Sequence, residues 1–195
     1  MYSYFALYKP YGMLSQFTRE GSHLSLADLN FPFPSDVYPL GRLDTDSEGL
    51  LLLTNDKRVN AHLLDPEMGH RRKYLVQLEG VIDEPAMDKL RKGITLNDKG
   101  KKYTSLPTEV SRVDIEIQDR NPPIRFRKNI PTCWIEISLT EGKNRQVRKM
   151  TAATGFPTLR LIRTEIERIT LEKMETGWIK SFNKNDFYYS LKLEQ

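Results

Sequence analysis

Residues 41–56 read GRLDTDSEGLLLLTND, a stretch that fits two chemistries and so two different folds. Asp44, Asp46, Glu48 and Gly49 occupy the first, third, fifth and sixth positions of a calcium-binding loop, where carboxylates alternate ahead of a glycine that lets the chain turn sharply. The pattern fails further on. Its twelfth position needs a bidentate carboxylate and is Asn55, and its ninth is Leu52. Pro39 and Gly41 break any helix leading into the loop, and residues 50–53 are a short apolar run of the kind that buried strands use. Calcium is set aside, and the spacing alone leaves the role of Asp44 open.

Working outward from this stretch, residues 2–8 alternate well enough for a strand, which Lys9, Pro10, Tyr11 and Gly12 end in a turn. A single helical turn is expected at residues 25–29 and a short strand at 37–40. Asn55 or Asp56 can cap a helix that Pro66 terminates. Residues 74–78 are good strand formers. Residues 83–91, with Met87 and Leu90 on one face and Gly93 just beyond, read as a capped helix. Strands are expected at 108–117, 133–140 and 158–166. Residues 143–154 read as a helix stopped at Gly155, with Val147, Met150, Thr151 and Thr154 inside and Arg145, Arg148 and Lys149 on a neighbouring face. The tail after Trp178 fits either a final helix or an edge segment. Strands and helices mix without regular βαβ alternation, so the fold class is α+β with a largely antiparallel sheet. No repeat or linker divides the chain, and residues 1–195 are expected to form one domain, whole or as two lobes.

With 38% hydrophobic and 29% charged residues and no long apolar run, a soluble protein is expected, without a membrane span or secretory signal. The single cysteine, Cys133, excludes an internal disulfide and suits a reducing cytoplasm. The net charge of +4 is unevenly placed. Residues 120–150 hold Arg120, Arg125, Arg127, Lys128, Lys143, Arg145, Arg148 and Lys149 against Glu136 and Glu141, so that segment is net +6 and the remainder −2. His70-Arg71-Arg72-Lys73 adds a second basic run. Such concentration suggests a polyanionic partner, of which nucleic acid is the commonest.

The three histidines have no metal-ligand spacing, and Cys133 has no thiol-catalysis signature. Glu141-Gly142-Lys143-Asn144 lacks the earlier glycine and the Ser or Thr of a phosphate-binding loop, and no dinucleotide fingerprint is present. Carboxylate, tyrosine and arginine remain. They suffice for a reaction without metal or cofactor, in which a carboxylate works on a sugar while an aromatic ring stacks on a base.

The stretch 41–56 resembles the signature of bacterial pseudouridine synthases of the small-subunit-enzyme type, the RsuA family. KPYG at 9–12, RRKYLVQLEG at 71–80 and EGKNRQVRKM at 141–150 resemble that family's other blocks in the same order, and the likeness runs from about residue 4 to 171. NPPIRFRKNIPT (121–132) and GFPTLRLIR (155–163) narrow it to the enzyme E branch, which acts on large-subunit ribosomal RNA. The resemblance implies the pseudouridine synthase catalytic fold, a mixed sheet in two lobes flanked by helices, with no cofactor and no metal. The implied partner is a loop or bulge uridine of ribosomal RNA, met by a cytoplasmic monomer.

It further implies that Asp44 is the catalytic aspartate, which engages the ribose by attack at C1′ or by proton removal at C2′. Tyr74 matches the tyrosine that stacks on the flipped base, and Arg148 the arginine that pairs with the aspartate and orients it. Arg42 would fill the space the uracil leaves, and Leu161 and Arg163 match a block in which an apolar side chain packs on the base. Arg71, Arg72, Lys73, Lys143, Asn144, Arg145 and Gln146 would meet the RNA backbone, offsetting the few kcal/mol of unstacking. Taken singly, Tyr74 reads more readily as a core or cross-strand packing residue, Leu161 equally well as plain core, and Arg148 as part of a solvated helix face.

The chain departs from the family in two places. The first strand begins close to Met1, which implies a form without the additional S4-type RNA-binding domain that many relatives carry. The family's Ile-Gly near the end is Ile166-Glu167, which puts the local turn in doubt. A non-catalytic RNA-binding or ribosome-assembly protein is the main alternative reading.

Overall fold

Four consecutive leucines at 50–53 leave no polar side for water, so a strand made of them has to be covered on both faces. The computed structural model, which describes residues 1–98, 100–125, 127 and 129–193, shows how this is done. In chain order the elements are β1 (Tyr4–Lys9), β2 (Tyr38–Pro39), β3 (Glu48–Thr54), α1 (Lys57–Leu64), β4 (Arg72–Glu79), α2 (Glu84–Lys92), β5 (Thr95–Asp98), β6 (Lys101–Thr104), β7 (Glu109–Val113) and β8 (Thr132–Leu139). They continue with α3 (Gln146–Ala153), β9 (Thr158–Ile166), β10 (Ile169–Thr170), β11 (Ile179–Phe182) and α4 (Lys184–Ser190). Single 3-10 turns lie at Leu26–Asp28 and Pro66–Met68. Of the strand pairings with a described register, all are antiparallel except β3 with β9, which is parallel. The α+β class and largely antiparallel sheet expected from the sequence are therefore present.

The chain divides into two compact units, one made of the residues up to His70 together with those from Ile162 onward, the other of Arg71–Leu161. In the first unit β3 lies between β1 and the end of β9, with β11 on the far side of β1. Every residue of β3 is buried. Because successive side chains alternate, Leu50 and Leu52 enter one apolar cluster with Tyr4, Ala6, Val59, Leu63 and Phe187. Leu51 and Leu53 enter another with Phe5, Leu7, Met13, Leu26 and Leu43. Helices α1 and α4 cover the first face and the 13–43 region covers the second.

In the second unit β8 pairs with β4 on one side and β7 on the other. One face carries Tyr74, Val76 and Leu78 of β4 and Cys133, Ile135, Ile137 and Leu139 of β8. These pack with Met87 and Leu90 of α2 and Val147 and Met150 of α3. A separate hairpin, β5 with β6, follows α2.

Several boundaries differ from the sequence reading. Of the two caps the sequence offers for α1, Asp56 is the one used: its carboxylate accepts the Arg58 amide, while the Asn55 side-chain oxygen accepts the Ser3 amide at 2.8 Å. Helix α3 begins three residues later than expected, since Arg145 sits in the left-handed region (φ 52°) ahead of it. Arg145 therefore does not share a helix face with Arg148 and Lys149. Strand β7 ends at Val113 instead of residue 117, and the β5–β6 hairpin was not expected. The tail forms both an edge strand and a helix. The turn put in doubt by Glu167 persists as the tight β9–β10 hairpin, with Glu167 at φ 51°. Its side chain forms an ion pair with Lys192 Nζ at 2.5 Å and lies 3.2 Å from His70 Nδ1.

Asp56 does more than cap α1. Its buried carboxylate accepts the hydroxyls of Tyr4 (2.9 Å) and Tyr188 (2.6 Å) and the Arg58 guanidinium. It thereby joins β1, α1 and α4. Burial alone would push this carboxyl up, but the bonds from Arg58, Tyr188 and Tyr4 outweigh it and hold it at about 2 against an ordinary 3.8. A depressed carboxylate stabilises the fold above its unfolded pKa and loses that contribution as pH falls through the folded value. Asp56→Asn is expected to cost about 2 kcal/mol at pH 7. In urea titrations the gap to wild type should persist at pH 5 and shrink steadily as the pH is lowered towards 2.

Candidate active site

In the first unit, Asp44 sits in a tight turn in which the Ser47 amide donates to the Asp44 carbonyl at 3.0 Å. Leu43 before it is buried in the core, whereas Arg42 is exposed and Asp44 half-buried. The calcium pattern does not survive, because its fifth to eleventh positions are strand β3. Glu48, only 2% exposed, pairs with Ile162 in the ladder. Gly49 is a packing requirement: a Cβ there would lie 2.3 Å from the Arg163 carbonyl oxygen and 2.6 Å from its nitrogen, and its φ is 109°. Only glycine allows β9 to approach β3 so closely.

Lys9 pairs with Gly49 on the other side and is 0% exposed. Its ammonium donates to the carbonyls of Pro10 (2.9 Å) and Met13 (2.7 Å). Burial pushes the Lys9 ammonium down to about 8 from 10.5, with Glu48, Asp46 and Asp44 resisting and Arg163 adding to the fall. Arg163 is buried too, and its Nε donates to the Leu50 carbonyl at 2.7 Å. Asp44, Asp46, Glu48, Lys9 and Arg163 thus form one electrostatic neighbourhood within this unit. In the sequence, Lys9 is visible only as part of the KPYG stretch and of the turn that ends the first strand. Its signal was a lysine ending an otherwise apolar strand directly before proline.

The remaining expected residues lie in the second unit. Tyr74 is 9% exposed and its ring belongs to the β4–β8 core cluster, together with Leu161 and Val147. Arg148, half-buried on α3, donates from Nη1 to the Thr158 carbonyl at 3.3 Å, so it is not simply a solvated side chain. Arg71 bonds Glu109 at 2.6 Å and Ser138 at 3.1 Å. Arg72 and Lys73 are half-buried at the start of β4. Gln146 is buried and closes the loop ahead of α3: its Oε1 accepts the Lys143 amide at 3.0 Å and its amide nitrogen meets Glu141. Lys143, Asn144 and Arg145 are exposed on that loop, with the Lys143 ammonium 4.7 Å from the centre of the Tyr103 ring. In the basic segment 120–150, Lys128 lies outside the described residues.

Residues 3–153 match the family model described as RNA pseudouridylate synthase. The chain belongs to this family. A pseudouridine synthase is an isomerase, so this chain is of an enzyme family, as the motifs implied. A Vibrio parahaemolyticus protein named ribosomal large subunit pseudouridine synthase E is 49% identical over 170 residues, covering 87% of this chain and 69% of that one. The protein of that name from Xanthomonas campestris pv. campestris is 43% identical over 173 residues, covering 88% and 90%. Among solved structures, a pseudouridylate synthase crystal structure superposes with a TM-score of 0.78 at 25% identity, covering 97% of this chain and 74% of that one. The human RNA pseudouridylate synthase domain containing 1 shares the fold at a TM-score of 0.61 and 14% identity. No described helix is long and apolar enough to cross a membrane.

The Gly49 contact is open to direct test. Gly49→Ala places a methyl against the Arg163 backbone and strains a positive φ, and is expected to cost about 3 kcal/mol or more in urea unfolding. A variant as stable as wild type would show that β9 can shift away.

Proposed function

We propose that this pseudouridine synthase isomerises a uridine in a loop or bulge of large-subunit ribosomal RNA, with Asp44 acting on the ribose of a flipped-out nucleotide. The observation that carries the reading is Asp44 itself. It lies in a hydrogen-bonded turn directly ahead of a fully buried strand, within the stretch that bears the family signature. The relatives named ribosomal large subunit pseudouridine synthase E, at 43% to 49% identity, support the choice of RNA.

In the reaction, the N1–C1′ bond breaks, the uracil turns and a C5–C1′ bond forms. The C5 proton leaves and N1 regains a proton, so atoms and charge balance without redox change. Asp44 either forms an ester at C1′ or takes the C2′ proton, and either route needs the carboxylate ionised and held still. Tyr74 stacks on the uracil, Arg148 orients the aspartate and Arg42 enters the space the base vacates. Leu161 packs on the base and Arg163 braces the signature strand. Arg71, Arg72, Lys73, Lys143, Asn144 and Arg145 meet phosphates, while Gln146 shapes the loop that presents three of them. The enzyme works in the cytoplasm as a monomer, without metal or cofactor.

Large-subunit ribosomal RNA incubated with enzyme and digested to nucleosides should contain pseudouridine only when Asp44 is intact. Asp44→Asn is expected to lose turnover by at least about 1000-fold, the scale of removing a covalent or acid–base group, while binding RNA with unchanged affinity. Binding should weaken by about 1000-fold between 50 and 200 mM salt, the response of six or more phosphate contacts. Pseudouridine formation by Asp44→Asn at the wild-type rate would remove Asp44 from the mechanism. RNA binding without any product from wild type would point to a binding protein instead.

A further inference from the structure

Asp44 lies on a loop, yet a catalytic carboxylate must be held to within a fraction of an ångström. The structure shows what could hold it. Ser15 is 6% exposed, and its hydroxyl makes two bonds to one residue: it donates to the Leu43 carbonyl at 2.8 Å and accepts the Leu43 amide at 3.0 Å. That carbonyl belongs to the peptide group joining Leu43 to Asp44. On the other side of Asp44, the Thr45 carbonyl accepts the Gly12 amide at 2.8 Å. Both neighbours of Asp44 are therefore tied to residues 12–15.

That short segment is itself braced. The Leu14 amide donates to the Leu24 carbonyl at 2.7 Å, and the Leu26 amide to the Gln16 carbonyl at 2.9 Å. Met13 and Leu26 are buried in the same cluster as Leu43. The Lys9 ammonium bonds the carbonyls of Pro10 and Met13, so it closes the turn that carries Gly12. The buried lysine, the 12–15 segment and the peptides flanking Asp44 form a continuous chain of contacts.

We propose that Ser15 is a positioning residue for Asp44: by bonding both the amide and the carbonyl of Leu43, it fixes the peptide from which the catalytic carboxylate projects, with Lys9 holding the supporting turn. This rests on the reading of Asp44 as the catalytic group. Ser15 is buried and its hydroxyl is engaged by Leu43, so its loss should act on the chemical step and leave RNA binding alone. A residue needed for stability only would lower the unfolding temperature without changing kcat in the folded protein.

The test compares kcat and KM on large-subunit ribosomal RNA for wild type, Ser15→Ala, Ser15→Thr, Lys9→Met and Asp44→Asn, at a temperature where each is folded by circular dichroism. Ser15→Ala is expected to lower kcat about 10- to 100-fold, the cost of misplacing a reacting group by about an ångström, with KM within about two-fold of wild type. Ser15→Thr keeps the hydroxyl and should recover most of the rate. Lys9→Met should also lower kcat, and the double variant should fall short of the product of the two losses, because both act through one turn. If Ser15→Ala is not folded, Ser15→Cys, which keeps the side-chain volume and weakens both bonds, carries the same expectation. A folded Ser15→Ala or Ser15→Cys enzyme with wild-type kcat would overturn the proposal, as would a Ser15→Thr enzyme as slow as Ser15→Ala. Full activity of Asp44→Asn would instead overturn the assignment of Asp44, so the two failures are distinguishable.

Discussion

The first unit depends on a backbone contact with no room for a side chain. At Gly49, β3 and β9 come so close that a single methyl would overlap the Arg163 peptide. That approach lets β9 pair in parallel beside a strand whose leucines feed apolar clusters on both faces. A strand covered on both faces is hard to move. The turn bearing Asp44 is attached directly to its start, so the rigidity of the core reaches the Asp44 carboxylate, the proposed catalytic group, through very few rotatable bonds.

Charge is arranged with equal economy. Among the described residues of the first unit, Asp56 and Lys9 are buried ions of opposite sign. Asp56 is a carboxylate saturated by two tyrosines and an arginine, and its role is to fasten the terminal helix onto β1 and α1. Lys9 is a cation fully removed from water, bonded to two carbonyls and set among Asp44, Asp46 and Glu48. A buried charge is retained only where neighbours compensate it. Around Lys9 that compensation comes from the acidic stretch that also supplies the proposed catalytic group, which links the stability of the turn to its electrostatics.

Much of this was legible in the sequence, for identifiable reasons. Four leucines in a row between turn residues dictated a buried strand, and β9 was readable to the residue as the run from Thr158 to Ile166 that resumes after Gly155-Phe156-Pro157. The β5–β6 hairpin was not legible: TLNDKGKKYT is mostly polar, with Leu96 and Tyr103 its only apolar contributions to the core, and only its Asn97 and Gly100 hint at a turn. The start of α3 was misplaced because Arg145 adopts a left-handed backbone that favours glycine, which no side-chain pattern announces. In the candidate site, Asp44 was singled out by the family signature it stands in. Ser15 was not, because its bonds to Leu43 span 28 residues and serine is ordinary in a loop. Glycine at 49 was visible but open to misreading, since a calcium loop and a tight strand crossing both require it.

The most direct measurement is tritium release from large-subunit ribosomal RNA transcribed with C5-tritiated uridine, using protein dialysed against chelator and no added cofactor. Pseudouridine formation must expel the C5 hydrogen, so the wild-type protein should release tritium to water while Asp44→Asn, binding the same RNA equally well, should not. Release by both proteins, or by neither while both bind, would contradict the assignment of the isomerisation to Asp44.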